Sequence, residues 1–281
     1  MKKTTDLRPS PIAGHWYSGD SKTLAASVDD YIQAAALPEI NGDVIAIIVP
    51  HAGHIYSGPV AGYAFAAVVG LMPDLVAVIS PMHQPYYDPL LTSGHEAYQT
   101  PLGSIPIDRE SIQELDRLLQ ESLGFQTVPV RKDREHSLEI ELPFIQRALK
   151  GEFSLLPVMI RDQSERVAQS LGVALARVLK KREALLVAST DLSHFYPQDT
   201  ADKLDKEILR RIESFNPAAV LQAEKEGVGY ACGRSAVAAV LWAARGLGGN
   251  HVQILNYATS GDVSGDYHQV VGYGAAVVTK I

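Results

Sequence analysis

Cysteine is almost absent from this chain, with Cys232 the only one in 281 residues. A single thiol excludes an intramolecular disulfide, and with it the disulfide frameworks of small secreted domains. Long apolar runs are missing too, and none approaches the roughly 20 residues needed to cross a bilayer. The N-terminus, MKKTTDLRPSPIAGHWYSGD, opens on two lysines without an apolar segment behind them, so it does not read as a signal peptide. A soluble, cytoplasmic protein is expected. Positive charge is in short supply, with 25 Lys and Arg against 32 Asp and Glu and a net charge of −7. That argues against nucleic acid as the main partner, because phosphate binding needs a surplus of cations. The best candidate for a basic patch, VLKKREA around Lys180, is explained more simply by the preference of cations for a helix C-terminus. Walker A, G-x-G-x-x-G and G-x-S-x-G stretches are also lacking, so nucleotide-binding and serine-hydrolase readings lose their usual supports.

What is present is an ordinary globular composition, 46% apolar and 20% charged. Short apolar, β-branched runs recur from end to end: DVIAIIVP (43–50), DLVAVIS (74–80), FSLLPVMI (153–160), ALLVAST (184–190), VQILNYA (252–258) and VVGYGAAVV (270–278). Their unbroken hydrophobicity is what strands of a sheet covered on both faces require. Helical patterns lie between them, including SGDSKTLAASVDDYIQAA, DRESIQELDRLLQ, HSLEIELPFIQRAL, DQSERVAQSLGVALARVLKK, TADKLDKEILRRIESF and GRSAVAAVLWAARG. This alternation predicts an α/β protein, a three-layer α/β/α domain with a largely parallel or mixed central sheet. No repeat, linker or composition break divides it, so residues 1–281 read as one domain. The polar stretch 86–129 is expected to carry loops or edge strands.

Three of the nine histidines fall at one kind of place. His51, His83 and His194 each follow the C-terminal end of an expected buried strand, the edge where ligands bind in open α/β sheets. Cys232 enters from the start of a later helix. The helix start and Arg234 beside it are expected to favour the thiolate. Two imidazoles and a thiolate form a plausible set of metal ligands, and three protein ligands leave positions open, as in catalytic sites. Taken singly, each residue has a plainer explanation: a lone Cys as a small buried hydrophobe, a lone His as a hydrogen-bonding turn residue. In STDLSHF, a helical turn would put Asp191 and His194 on one face as an acid/base pair. A local cap made by Asp191 explains the same residues equally well. In REHSLEIELPF, Glu139 reads as part of a capping arrangement over an apolar stripe of Leu138, Leu142 and Phe144, while His136 could reach the crevice. PHAGHIYSGP adds Tyr56 and Ser57 to a crevice loop, with Gly53 and Gly58 allowing unusual backbone angles. GHWYSGD reads as an aromatic anchor followed by a cap. His54, His95, His251 and His268 receive no role.

At these residues the chain resembles the Memo-like family over essentially its whole length. The carrying stretches are RPSPIAGHWYSGD, IIVPHAGHIYSGPVAGYAF, YQTPLGSIPID, DREHSLEIELPFIQ, LLPVMI, STDLSHF, ACGRSAV, LNYATSGDVSGD and VVGYGA. The resemblance implies a fold similar to that of class III extradiol ring-cleavage dioxygenases, which are non-haem iron enzymes. It also implies a site of two histidines and a cysteine, carried here by His51, His83 and Cys232, with Asp191 and His194 in the acid/base neighbourhood. Iron is the metal it favours, with copper or zinc as alternatives. Two positions depart from the family pattern: SPMHQP stands where GPSHH is usual, and Glu141 where relatives often have His. Within the family, metal-dependent redox activity and binding of phosphorylated peptides have both been proposed. Bacterial and archaeal relatives are associated with radical SAM and AMMECR-type proteins, the AmmeMemoRadiSam system. The leading expectation is a metal-dependent oxidoreductase or dioxygenase acting on a small organic substrate. The alternative is a non-catalytic module that binds a peptide or small anionic ligand in the same crevice. A third reading is metal-free chemistry at Cys232, with His51 or His194 as its base.

Overall fold

The structure, a computed structural model, describes residues 6–281. The first half of the chain runs β1 (Leu7–Arg8), α1 (Ser21–Ala34), β2 (Asp43–Val49), α2 (His54–Ala66), β3 (Leu75–Pro81), β4 (Leu90–Ser93), β5 (Ala97–Thr100), β6 (Gly103–Pro106), α3 (Arg109–Leu123) and β7 (Val128–Val130). A 3₁₀ turn, Glu139–Glu141, leads into α4 (Leu142–Ala148), followed by β8 (Ser154–Ile160), α5 (Glu165–Leu179), β9 (Ala184–Ser189) and β10 (His194–Tyr196). The remainder is α6 (Gln198–Glu213), α7 (Pro217–Lys225), α8 (Arg234–Gly246), β11 (His251–Thr259), α9 (Gly261–Ser264) and β12 (Val270–Lys280).

All six expected strands form. Nine strands make one mixed sheet in the order β10-β12-β2-β9-β3-β8-β4-β7, with β11 paired to β12. Its centre, β2-β9-β3-β8, is parallel, while β12 and β4 flank it antiparallel. The central strands are unbroken apolar runs because α1, α2 and α4 cover one face and α3, α5 and α8 the other. The helices start where the sequence offers caps: Asp20 accepts from Thr23 N at 2.9 Å and Asp108 from Ser111 N at 2.9 Å. Gly124 closes α3 in the left-handed region, at φ +83°. The stretch 86–129 does carry short strands: β5 and β6 join β1 in a separate three-stranded sheet, and β4 and β7 lie at the edge of the large one. Among the described residues no helix is long and apolar enough to cross a membrane.

The crevice-loop reading of PHAGHIYSGP fails. Tyr56 and Ser57 lie not in a loop but in α2, whose start follows β2 after four residues. Gly58, Pro59 and Gly62 hid this helix from a propensity reading, since each is a poor helix former. The glycines serve close packing instead. A Cβ on Gly58 would meet the Tyr31 ring at 2.6 Å, and one on Gly62 the Tyr31 carbonyl oxygen at 2.3 Å, so α1 lies directly on α2. Gly53 has an ordinary φ of −55°.

Candidate metal centre

The parallel strands β2, β3 and β9 end side by side, and the residues just beyond them form the floor of a crevice. His51, His83 and His136 come together there, each offering a ring nitrogen within 4.8 Å of the others. The His51 ring stands edge-on to those of His83 and His136, with centroids 5.3 and 5.5 Å away, while His83 and His136 stack at 4.8 Å. Cys232, just ahead of α8, places Sγ 3.1 Å from His51 Nε2.

His51 and His83 are each held through one nitrogen. His51 Nδ1 lies 2.8 Å from Ser189 Oγ, which itself is 2.6 Å from the Ser137 carbonyl oxygen and 2.9 Å from Glu141 Oε1. The Ser189 hydroxyl has one proton to give and two oxygens in reach to take it, so His51 Nδ1–H donates to Ser189 Oγ. Glu141 is fully buried without a cation, which raises its pKa well above the carboxylate range. His83 Nδ1–H donates to Glu135 Oε1 at 2.9 Å, and its backbone N–H to Glu135 Oε2 at 2.5 Å. In both residues Nε2 is left without a proton and turned toward the crevice. A ring fixed through one nitrogen with the other free is the arrangement of a metal-binding histidine.

Burial dominates the titration behaviour. The His51 pKa falls well below the usual value, first through burial and then through the neighbouring His136 and His83; His136 falls to about 4, again chiefly through burial. Neutral imidazoles are the ligating form. Burial, and then the Asp191 carboxyl, push the Cys232 thiol up, not down. Arg234 does not offset this, because its guanidinium pairs with Glu224 at 2.5 Å. Without a cation in the crevice the thiol keeps its proton and donates it to His51 Nε2. The Sγ also accepts from Asp191 N at 3.2 Å.

The STDLSH segment does not turn helically. Leu192 N donates to Gly272 O at 2.8 Å and Gly272 N to Ser193 O at 2.9 Å, so pairing with β12 draws the chain into an extended form. Asp191 and His194 consequently share no hydrogen bond. Asp191 Oδ1 accepts from His51 N at 2.7 Å, its Oδ2 lies 4.0 Å from His51 Nε2, and burial lifts its pKa to about 7. His194 Nδ1 donates to Leu192 O at 2.9 Å. Its ring lines a cavity of about 230 Å³ together with Cys232, Tyr196 and Tyr230. Glu139 is not a cap: it is buried and accepts from Arg8 Nη1 at 2.6 Å and Tyr17 OH at 2.9 Å. Glu135 and Ser189, which hold the two strand-end histidines, lie in stretches that carry the family resemblance but received no role from the sequence. Their partners lie 52 and 138 residues away.

These features define a layered α/β protein with a histidine-rich potential metal site at the carboxyl edge of its parallel strands. A crystal structure of an uncharacterized protein from Escherichia coli K12 has the same kind of fold, with a TM-score of 0.51 over 84% of this chain and 100% of that one at 11% identity. The chain belongs to the Memo-like protein family, whose model matches residues 8–277. MEMO1 family proteins of Nitrosopumilus maritimus and Methanococcoides burtonii are each 33% identical to it, covering 96% and 97% of this chain and 98% and 100% of their own lengths. A MEMO1 family protein of Thermotoga neapolitana is 38% identical over 84% of the chain and 83% of its own length.

Proposed function

We propose that His51, His83 and Cys232 hold a transition-metal ion, iron in first place with copper or zinc as alternatives, and that the crevice carries out a metal-dependent oxidation of a small organic substrate. The supporting observation is His51 Nε2, 3.1 Å from Cys232 Sγ while Nδ1 is tied to Ser189, in a cluster that brings ring nitrogens of His51, His83 and His136 within 4.8 Å of one another. A divalent cation would take the place of the thiol proton, so that binding releases it and tightens as pH rises. Mixed imidazole and thiolate donors suit iron, copper and zinc alike. When bound, the ion supplies Lewis acidity and, for iron or copper, electron exchange. His136 stands close enough to serve as a further ligand or to hold substrate against the cluster.

The chain's own groups manage protons. Asp191, lifted to about 7 by burial, exchanges a proton near neutrality beside His51. His194 presents an unprotonated Nε2 while Nδ1 is tied to Leu192 O, and it accepts a proton from a ligand at the mouth.

Elemental analysis of protein purified without oxygen tests the reading, with wild type beside Cys232→Ser, His83→Ala and His136→Ala. About one iron or copper per chain in the wild type, lost in Cys232→Ser and His83→Ala, is the expected result. Loss in His136→Ala as well makes that residue a ligand. No metal in any sample, even after reconstitution, overturns the reading in favour of a non-catalytic binding crevice.

A further inference from the structure

Beside the histidine cluster lies a cleft of about 490 Å³, within the range of small-molecule sites. Its walls carry Trp16, Tyr56 and Phe195, and Tyr273 and Val271 lie beneath them. Trp16 connects it to the proposed metal centre, since its ring lies 4.3 Å from that of His136. Ring exposure on this rim is high: 38% for Trp16, 43% for Tyr56 and 67% for Phe195.

Phe195 is the least expected of the three. It sits at φ +63°, in the left-handed region that bulky residues avoid, and the pairing of β10 with β12 slips between His194 and Tyr196 around it. The bulge takes Phe195 out of the ladder and turns its ring toward the cleft. Bulges beside binding sites commonly re-aim a side chain in this way, and strain of this kind points to use.

Charge decides what the cleft accepts. No Lys or Arg lines it, and Asp266 is its one carboxylate. Asp266 Oδ1 accepts the backbone N–H of His268 at 2.9 Å, and the residue forms no ion pair among the described residues. An uncompensated carboxylate among exposed aromatic faces attracts an organic cation both by charge and through the ring quadrupoles. An anionic ligand would meet the Asp266 charge with no Lys or Arg to offset it, His15 being the one basic side chain in the wall.

We propose that this cleft binds a small organic ammonium ion, its apolar body against Trp16, Tyr56 and Phe195 and its charge toward Asp266. This names the substrate class of the crevice and rests on reading the crevice as a substrate site. Calorimetric titration of the full chain with benzyltrimethylammonium, benzyl alcohol and phenylacetate, three probes that share a benzyl body, tests it. The ammonium probe is expected to bind at least about 10-fold more tightly than phenylacetate, a difference of about 1.4 kcal/mol. Asp266→Asn should remove most of that preference. Phe195→Asn should weaken the ammonium and alcohol probes alike, and because Asn tolerates positive φ, lost binding cannot be ascribed to unfolding. Phenylacetate binding as tightly as the ammonium, a preference that survives Asp266→Asn, or no binding by any probe overturns the proposal. Metal content is measured on the same samples, and titrations are run before and after chelator treatment. Cation binding without any metal then sinks only the metal reading, and metal without cation preference sinks only this one.

Discussion

Two buried polar clusters lie side by side, and they are built on opposite terms. Around Arg8, which is 1% exposed, every charge is met: Nε and Nη2 reach the Asp133 carboxylate at 2.7–3.2 Å, and Nη1 reaches Glu139 at 2.6 Å. Tyr17 OH donates to the other oxygen of Glu139. This cluster is closed, and nothing in it remains to bind a ligand. Around His51 and His83 the scaffold fixes each ring through Nδ1 alone, and the other edges converge on the crevice, where the Cys232 thiol meets His51 Nε2. The clusters share a residue, since the Glu135 carbonyl accepts from Arg8 Nη2 at 2.8 Å while its carboxylate holds His83. A closed ion network thus serves as the rigid backing of an open one. What separates scaffold from site is whether polar groups finish their bonds inside the protein, not how many are buried. Cavity size does not make that distinction. A cavity of about 580 Å³ at the far side of the molecule, lined by Phe153, Leu102 and Arg147, exceeds either crevice cavity and contains no histidine or cysteine.

Breaking the closed cluster has the largest expected effect. Arg8→Met keeps most of the stem but leaves Asp133 and Glu139 buried without their cation, and removal of one partner from such a network costs about 3–5 kcal/mol. Urea unfolding of the variant should show that loss. A change below about 1 kcal/mol would mean that the network does not back the site.

His54 offers an intermediate case, three residues beyond His51 but facing the core. Its Nε2–H donates to Ile140 O at 3.1 Å, Nδ1 has no partner, and the ring packs against Phe144 at 4.8 Å. Burial lowers its pKa to about 4. Because the folded value lies below the ordinary 6.5, its contribution is present above pH 6.5 and is lost as pH falls toward 4. Between pH 6.5 and 5 that amounts to 1.5 units at about 1.4 kcal/mol each, or about 2 kcal/mol. His54→Gln should therefore narrow its stability gap to wild type by about that much when urea midpoints are compared at pH 7 and pH 5. A constant gap would show that an unpaired nitrogen there does not hold the ring neutral.

How far the sequence disclosed this arrangement depends on the length of the physical signal. The central strands were legible because burial on both faces leaves an unbroken apolar run, and the position of His51 and His83 followed from where those runs end. Helix α2 was not legible, since Gly58 and Gly62 answer to the Tyr31 backbone and ring rather than to local propensity. A helical face joining Asp191 to His194 was a reasonable local reading, but β12 takes the backbone bonds at Leu192 and Ser193. The state of Cys232 depended on burial and on Arg234 turning toward Glu224, and neither is encoded in neighbouring positions. Trp16 and Phe195 could be named as aromatic residues, but only the fold places them on one cleft.

The finest distinction between the clusters lies in Glu135 itself. Its carboxylate receives four donors: His83 Nδ1–H at 2.9 Å, His83 N–H at 2.5 Å, and the N–H groups of His136 and Ser137 at 3.0 Å each. These bonds, with the histidine side chains nearby, outweigh burial and hold its pKa well below the usual range. Glu135→Gln leaves the Arg8 ion pairs intact but turns an amide NH₂ toward at least one of those donors. Two donors then face each other, at a cost of about 1–3 kcal/mol in stability. If the His83 ring is positioned by this carboxylate, metal affinity measured by chelator competition should also fall by about 10- to 100-fold, the usual effect of losing a residue that orients a ligand. Unchanged affinity alongside the stability loss would assign Glu135 to the closed cluster alone and leave His83 positioned by its backbone. Lost affinity with stability nearly intact would make Glu135 part of the site, with Arg8 acting on the metal centre through it.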